Sequence, residues 1–154
     1  MFKNMRRKEK LLPIDRTEEI LTKGDYGVLS TIGENGYPYG LPINYVYMDD
    51  CIYVHGAREG HKLDNIQYNS KVSFSVVDYS QVIPSQFETY YESVIAFGVA
   101  KVIEGKEKEL ALEAFIHKYS EDFLDKGIKY INSLKDKTTI IKINIQYMTG
   151  KIGR

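Results

Sequence analysis

The chain has 154 residues, long enough for one compact domain with its own hydrophobic core. Its 21 Lys and Arg residues balance its 21 Asp and Glu residues, which argues against a general nucleic-acid-binding protein. The single cysteine, Cys51, excludes an internal disulfide and fits a reducing cytoplasm, and no apolar stretch approaches the roughly 20 residues of a membrane span.

The first predicted elements are an N-terminal arm over residues 1–14 and a short helix over residues 15–23. Asp15 followed by Glu18 is typical of a helix N-cap with an acidic residue in the first turn. We expect Gly24 to end this helix in the left-handed conformation, which glycine adopts without strain.

Three strands are predicted next, over residues 27–32, 38–48 and 51–55. Turn residues separate them, Asn35-Gly36 in the first gap and Asp49-Asp50 in the second, so we expect an antiparallel meander. The middle strand contains two prolines, which cannot donate ladder hydrogen bonds, and this favours an edge or a bulge there.

The middle of the chain is predicted to hold a helix, two strands and a loop. The helix covers residues 61–68, and the strand over residues 71–77 alternates apolar and polar side chains. Residues 78–89 show no periodicity, so we expect a long loop, which in compact domains is often functional. A long strand follows over residues 91–104, with a bend or bulge at Gly98.

Peripheral helices over residues 106–135 and a closing strand over residues 138–148 complete the chain. The first helix covers residues 107–119, and the second is expected to be interrupted at Gly127. About six strands and four short helices, joined mostly by hairpins, predict a single mainly β domain over residues 1–154. The expected architecture is an antiparallel β-barrel with peripheral helices.

A glycine-containing loop with three cationic side chains leads into the helix at residue 61. Gly56 and Gly60 flank Arg58, and His61 and Lys62 begin the helix. Backbone N–H groups with a lysine can bind a phosphate, although many solvated turns have the same composition. The preceding strand offers Pro42 and Asn44, which either face a flat heterocycle or belong to an ordinary strand with Asn44 in solvent.

Several motifs along the chain resemble those of a known family. They are Met5-Arg6-Arg7-Lys8, Tyr37-Pro38-Tyr39, Leu41-Pro42-Ile43-Asn44, Tyr53-Val54-His55-Gly56-Ala57, Gly60-His61-Lys62-Leu63, Asn69-Ser70-Lys71-Val72-Ser73-Phe74, Tyr91-Glu92-Ser93-Val94 and Thr149-Gly150-Lys151. Together they resemble the pyridoxamine-phosphate-oxidase-like split-barrel superfamily, and most closely its nitroimidazole-resistance branch.

The resemblance implies a six-stranded split β-barrel and a homodimer that holds FMN at its interface. The implied cofactor-binding residues are Leu41, Pro42, Ile43, Asn44 and Tyr45 along the isoalloxazine, Val54, His55, Gly56 and Ala57 near the ribityl chain or ring, His61 and Lys62 at the phosphate, and Ser93 from the second subunit. The relatives that oxidise pyridoxamine phosphate have an arginine-lysine pair where His61 and Lys62 stand, so one fixed positive charge is replaced here.

His55 is the residue that the resemblance associates with catalysis, as a group beside the flavin that contacts substrate or donates a proton. The alternative is a strand-end histidine bonded to a neighbouring carbonyl. The implied function is an FMN-dependent oxidoreductase that passes electrons from a reduced donor to a small-molecule substrate, with nitro-aromatic compounds as proposed acceptors. The alternatives are a non-catalytic flavin- or haem-binding protein and a deazaflavin-binding protein. No metal site is evident, because the three histidines lack ligand spacing.

Overall fold

The computed structural model describes residues 1–154 and consists of one antiparallel sheet with four α-helices around it. The strands are β1 (Gly27–Ile32), β2 (Pro38–Ile43), β3 (Val46–Met48), β4 (Cys51–Gly56), β5 (Lys71–Ile83), β6 (Glu88–Ile103) and β7 (Thr139–Gly153). The helices are α1 (Ile14–Lys23), α2 (His61–Tyr68), α3 (Gly105–Tyr119) and α4 (Leu124–Leu134). This is the mainly β split-barrel architecture with peripheral helices that the sequence predicts.

The sheet has seven strands in the order β2-β1-β5-β6-β7-β4-β3, one more than expected. The additional strand arises because the predicted strand over residues 38–48 breaks at Asn44 and Tyr45. Its first half pairs with β1 and its second half pairs with β4, at opposite edges of the sheet. The predicted three-stranded meander is therefore wrong, and two separate hairpins take its place. Pro38 and Pro42 lie on an edge strand, as expected.

The main core lies inside the curved sheet, where Phe74, Val76 and Ile143 are buried with α1 against them. Tyr45 is also fully buried; its hydroxyl donates a hydrogen bond to the Leu21 carbonyl at 2.5 Å. A second apolar cluster lies under α3 and α4 on the other side of β4 and β7. The side chain alternation of β4 and β7 thus separates the barrel interior from a helix-covered face.

The segment over residues 78–89 is not a loop, and this prediction is wrong. β5 runs to Ile83, a single 3-10 turn follows, and β6 begins at Glu88, so the segment is the tip of a long hairpin. Phe87 closes the turn with φ 54°. The tip extends beyond the core and is solvent-exposed on both faces, so burial imposes no period of two on its sequence.

Two glycines serve packing, not the backbone roles expected for them. Gly24 has φ −58°, not a left-handed value, and a Cβ there would lie 2.6 Å from Val76 Cγ1. Gly127 lies inside a continuous α4, where a Cβ would lie 2.5 Å from Ile116 Cγ2. The predicted interruption at Gly127 is therefore wrong, because the glycine lets α4 approach α3 closely. The expected bulge at Gly98 is present in the ladder between β6 and β7.

The closing strand continues to Gly153 because its last residues pair with β6, where Tyr91 lies opposite Gly153, and the N-terminal arm packs against the same residues. The Leu12 N–H donates to the Gly150 carbonyl at 2.9 Å, and the Phe2 ring stacks on Tyr147. None of the helices combines the length and the apolar composition needed to cross a lipid bilayer.

Candidate functional site

The barrel is open along one line, which we call the seam. One side of the seam is the outer edge of β2, which pairs with β1 on its other edge only. The other side is residues 54–56 of β4, which pair with β7 but extend past the end of β3. Unpaired backbone groups on both sides are available to a ligand.

The start of α2 lies at one end of the seam and contacts both sides. The His61 ring stacks on Tyr39 of β2 with the ring centroids 3.9 Å apart. The end of the Lys62 side chain lies against Gly56 of β4, where an added Cβ would be 2.8 Å from Lys62 Cε. The structure therefore brings together His61, Lys62 and Gly56 from the predicted site.

The amino end of α2 is open to an anion. Gly60, at the N-cap position, has φ +146°, a backbone conformation that residues other than glycine rarely adopt. No side chain caps the helix. The first N–H groups of the helix are left without intrahelical partners. Lys62 forms no ion pair with a carboxylate. Arg58, the third cation of this loop, is turned away and donates to the Asp136 carbonyl at 2.5 Å.

His55 lies at the end of β4 with its ring edge-on to Phe115 of α3, the centroids 4.7 Å apart. The His55 side chain neither donates nor accepts a hydrogen bond. The alternative predicted for it, a bond to a neighbouring carbonyl, therefore does not occur. His55 is exposed as a residue, but the groups packed around its ring partly desolvate the imidazole and so lower its pKa, and the charge of Lys62 lowers that pKa further. A neutral imidazole with no partner offers one hydrogen-bond donor and one acceptor to a ligand.

The bend between β2 and β3 closes the other end of the seam. The Asn44 side chain donates to the Asp25 carbonyl at 2.9 Å, and the Tyr45 N–H donates to the Tyr119 hydroxyl at 3.1 Å. Lys118 Nζ donates to the Tyr45 carbonyl at 2.9 Å, and burial lowers the pKa of Lys118 to about 8. These bonds from α3 fix the bend and occupy the backbone of Tyr45.

The remaining predicted residues differ in exposure. Leu41 and Ile43 are half-buried on β2, and Pro42 and Ala57 are exposed. The Val54 side chain is fully buried in the core, so only its backbone faces the seam.

Ser93 lies at the far end of β7 from His55 but only three strands from β2, because Pro42 is opposite Val28, Val28 is opposite Ser75 and Ser75 is opposite Ile95, two residues from Ser93. It lies opposite Lys151 of β7, whereas His55 lies opposite Ile140 of the same strand. Eleven residues of extended strand separate the two positions, about 35 Å along β7. A concavity of about 330 Å³ near Ser93 is lined by Tyr79, Tyr90 and Tyr91.

A larger cavity, which sequence reasoning missed, adjoins His55. It has a volume of about 450 Å³ and lies between the end of β4 and the helices α3 and α4. Its lining includes His55, Leu112, Phe115, Tyr130, Leu134 and Lys137. The apolar face of α3 was visible in the sequence, but the spacing of that face does not reveal what the helix covers.

The antiparallel sheet, its open seam and the peripheral helices define a split-barrel protein. A family model described as pyridoxamine 5'-phosphate oxidase matches residues 14–152, and the chain belongs to this family. A comparison with curated protein sequences gave no match.

Three solved structures illustrate the shared fold. A candidate 5-nitroimidazole antibiotic resistance protein from Bacteroides thetaiotaomicron is 24% identical with a TM-score of 0.75, over 93% of this chain and 86% of that one. An FAD and haem binding protein from Mycobacterium smegmatis is 17% identical with a TM-score of 0.77, over 94% and 74%. An FAD binding protein from the same organism is 22% identical with a TM-score of 0.66, over 94% and 98%.

Proposed function

We propose that this chain binds FMN in the seam and acts as an oxidoreductase of the nitroimidazole-resistance type. It would pass electrons from a reduced donor to a small acceptor, with nitro-aromatic compounds as one class. The observation that carries the proposal is the meeting of two unpaired strand edges with an uncapped, positively charged helix start. The FAD binding proteins among the solved structures with this fold support it.

The phosphate would be held at the start of α2. The free N–H groups there form the positive end of the helix dipole. Lys62 adds a positive charge that no carboxylate neutralises. The absence of a side chain at Gly56 makes room for the end of Lys62, and the open space at Gly60 leaves room for an anion beside that lysine. His61, stacked on Tyr39, would add a hydrogen bond.

The ring system would lie along the outer edge of β2. Leu41 and Ile43 present half-buried apolar side chains, and the edge between them presents backbone donors and acceptors. Pro42 contributes no N–H, which narrows the set of donors on this edge. Asn44 and Tyr45 would act by holding the bend, because their polar groups are bonded to the rest of the fold.

His55 would face the reacting part of the site. Bound FMN would supply two-electron chemistry between donor and acceptor. The chain would supply a neutral imidazole N–H that orients the acceptor or donates a proton to it. Phe115 holds this ring edge-on and excludes water from one side of it.

A homodimer would complete the site. Within one chain Ser93 lies about 35 Å along β7 from the His55 end, and the proposed dimer would bring the Ser93 of a second subunit to that end of the seam. The β5–β6 hairpin and β6 expose apolar side chains that a partner can cover, including Val82, Phe87, Ile95 and Phe97. A two-fold axis would place the Ser93 end of each chain at the seam of the other.

Anaerobic flavin reduction tests the proposed activity. The flavin-loaded protein is mixed with NADH or NADPH and then with a 5-nitroimidazole, while the flavin absorbance is followed. We expect bleaching and then recovery, with the recovery slowed roughly 100-fold in His55→Gln. His117→Gln is the matched control, because His117 lies exposed on α3. A reduced flavin that the nitro compound leaves unchanged would contradict the proposed activity.

A second candidate function is a non-catalytic flavin- or haem-binding protein. One observation favours the haem version: the imidazole of His55 has no partner and borders an apolar cavity of about 450 Å³. Histidine is a common axial ligand of haem iron. A Soret band that appears on haem addition and is lost in His55→Gln would support this candidate over the first.

A further inference from the structure

The cavity beside His55 adjoins the seam at the end of β4, but most of its wall comes from helices that the flavin proposal does not use. Leu112, Phe115 and Ile116 come from α3, and Tyr130, Ile131 and Leu134 come from α4. Its volume of about 450 Å³ suits a small molecule and not a peptide.

Polar groups in this lining are few, and those without a partner are the His55 imidazole, the Lys137 ammonium and the Tyr130 hydroxyl. Thr138 donates its hydroxyl to the Leu134 carbonyl at 3.1 Å. Lys135 forms an ion pair with Glu109 at 3.5 Å. Lys137 has no carboxylate partner, and the His55 side chain forms no hydrogen bond. The cavity therefore presents apolar walls, one neutral imidazole, one phenol hydroxyl and one unpaired positive charge.

His55 and Lys137 lie at different positions along the lining. His55 is opposite Ile140 in the ladder between β4 and β7, and Lys137 precedes Ile140 by three residues. Lys137 ends the 3-10 turn that precedes β7, so the backbone positions of Lys137 and Ile140 are at most about 10 Å apart. A ligand that used both groups would carry a hydrogen-bonding group at one end and a negative charge at the other.

We propose that this cavity binds the small acceptor, and that it selects a flat aromatic monoanion. The polar end of the molecule would lie at His55 and its anionic end at Lys137, with the ring between α3 and α4. The choice of acceptor as occupant rests on the proposed function, because His55 would border both the flavin and this cavity. The preference for an aromatic anion rests on the lining alone.

A tryptophan reporter can measure binding directly, because the natural chain contains no tryptophan. Tyr130→Trp places the reporter in the cavity wall, at a side chain that is 65% exposed and tolerant of the change. Tyr68→Trp is the matched reporter on α2, away from the cavity and 60% exposed. The probes are 4-nitrobenzoate, neutral nitrobenzene and cationic 4-nitrobenzylamine, which all quench indole fluorescence.

We expect saturable quenching by 4-nitrobenzoate in Tyr130→Trp and only linear, collisional quenching in Tyr68→Trp. Binding should weaken from the anion to the neutral compound to the cation. Adding Lys137→Glu to the Tyr130→Trp protein should weaken the binding of 4-nitrobenzoate about three- to tenfold and leave the binding of nitrobenzene unchanged. Lys129→Glu, at an exposed position of α4 outside the lining, is the charge-matched control.

Equal quenching of both reporters, or equal affinity for the three probes, would overturn the inference. Flavin loading of the same samples separates this result from the proposed function. Flavin binding without 4-nitrobenzoate binding refutes only the cavity, and 4-nitrobenzoate binding by a chain that cannot take up flavin refutes only the oxidoreductase. Displacement of 4-nitrobenzoate by haem would assign the cavity to the haem-binding candidate.

Discussion

Gly56→Ala is the substitution that most specifically perturbs the candidate phosphate site. An added Cβ would overlap the end of the Lys62 side chain and would lie 2.8 Å from its Cε. Only this flexible side chain obstructs the methyl group, so Lys62 can turn aside without disturbing the fold. We therefore expect the free energy of unfolding to change by no more than about 1 kcal/mol.

The expected effect on FMN affinity is much larger. A hydrogen bond to a charged group contributes about 1.5–3 kcal/mol. Its loss corresponds to a roughly 10- to 100-fold rise in the FMN dissociation constant, since 1.4 kcal/mol is about tenfold. Titration of FMN into flavin-free protein, followed by quenching of flavin fluorescence, measures this constant, and urea denaturation measures stability in parallel.

A double-mutant cycle shows whether the effect passes through Lys62. If Gly56→Ala acts by moving that lysine, the double variant with Lys62→Met should bind FMN no more weakly than Lys62→Met alone. Lys71→Met removes an exposed charge near the opposite end of α2 and serves as the control. Unchanged affinity in Gly56→Ala, or fully additive effects in the cycle, would refute this account of the phosphate site.

Three further predictions concern groups around the seam. Tyr45→Phe removes the buried bond to the Leu21 carbonyl and should lower stability by about 1–3 kcal/mol in urea denaturation, and an unchanged midpoint would contradict that role. The pKa of His55 is lowered in the folded state, so the unfolded chain binds more protons in mildly acidic solution. The difference in the free energy of unfolding between the natural chain and His55→Gln should therefore be constant above about pH 6.5, and the natural chain should lose stability relative to the variant as the pH falls below that value. Parallel pH profiles of the two proteins would refute this. The pKa of Lys118 is lowered to about 8 from 10.5, so the folded state favours the neutral amine. The free energy of unfolding relative to Lys118→Met should therefore rise by about 1–3 kcal/mol between pH 8 and pH 10.5, an estimate reduced because the lysine is partly exposed. A difference that does not change with pH would count against this.

The sequence correctly predicted those elements whose burial pattern depends only on residues close together in the chain. Val72, Phe74 and Val76 alternate with polar residues and are all buried in β5, and α2 has the predicted bounds. The loop composition pointed to Lys62 and the neighbouring glycines as a possible phosphate site, and the structure places Lys62 against Gly56, which is close to it in sequence.

The break between β2 and β3 could not be predicted, because it depends on distant groups. Apolar residues continue through the bend, and Tyr45 is as buried as a strand residue. The bend is held by Lys118 and Tyr119 of α3, which lie 73 and 74 residues further along the chain. No local pattern records such bonds, and the same holds for Phe115, which reaches His55 from that helix.

The absorbance spectrum of the protein as purified tests the central claim most directly. We predict a yellow protein with the two visible bands of an oxidised flavin, and FMN as the ligand identified by mass after denaturation. Release of FAD would confirm that the protein binds a flavin but would show that the cofactor is FAD and not FMN. A colourless protein that fails to take up added FMN, or a protein that carries haem alone, would contradict the claim.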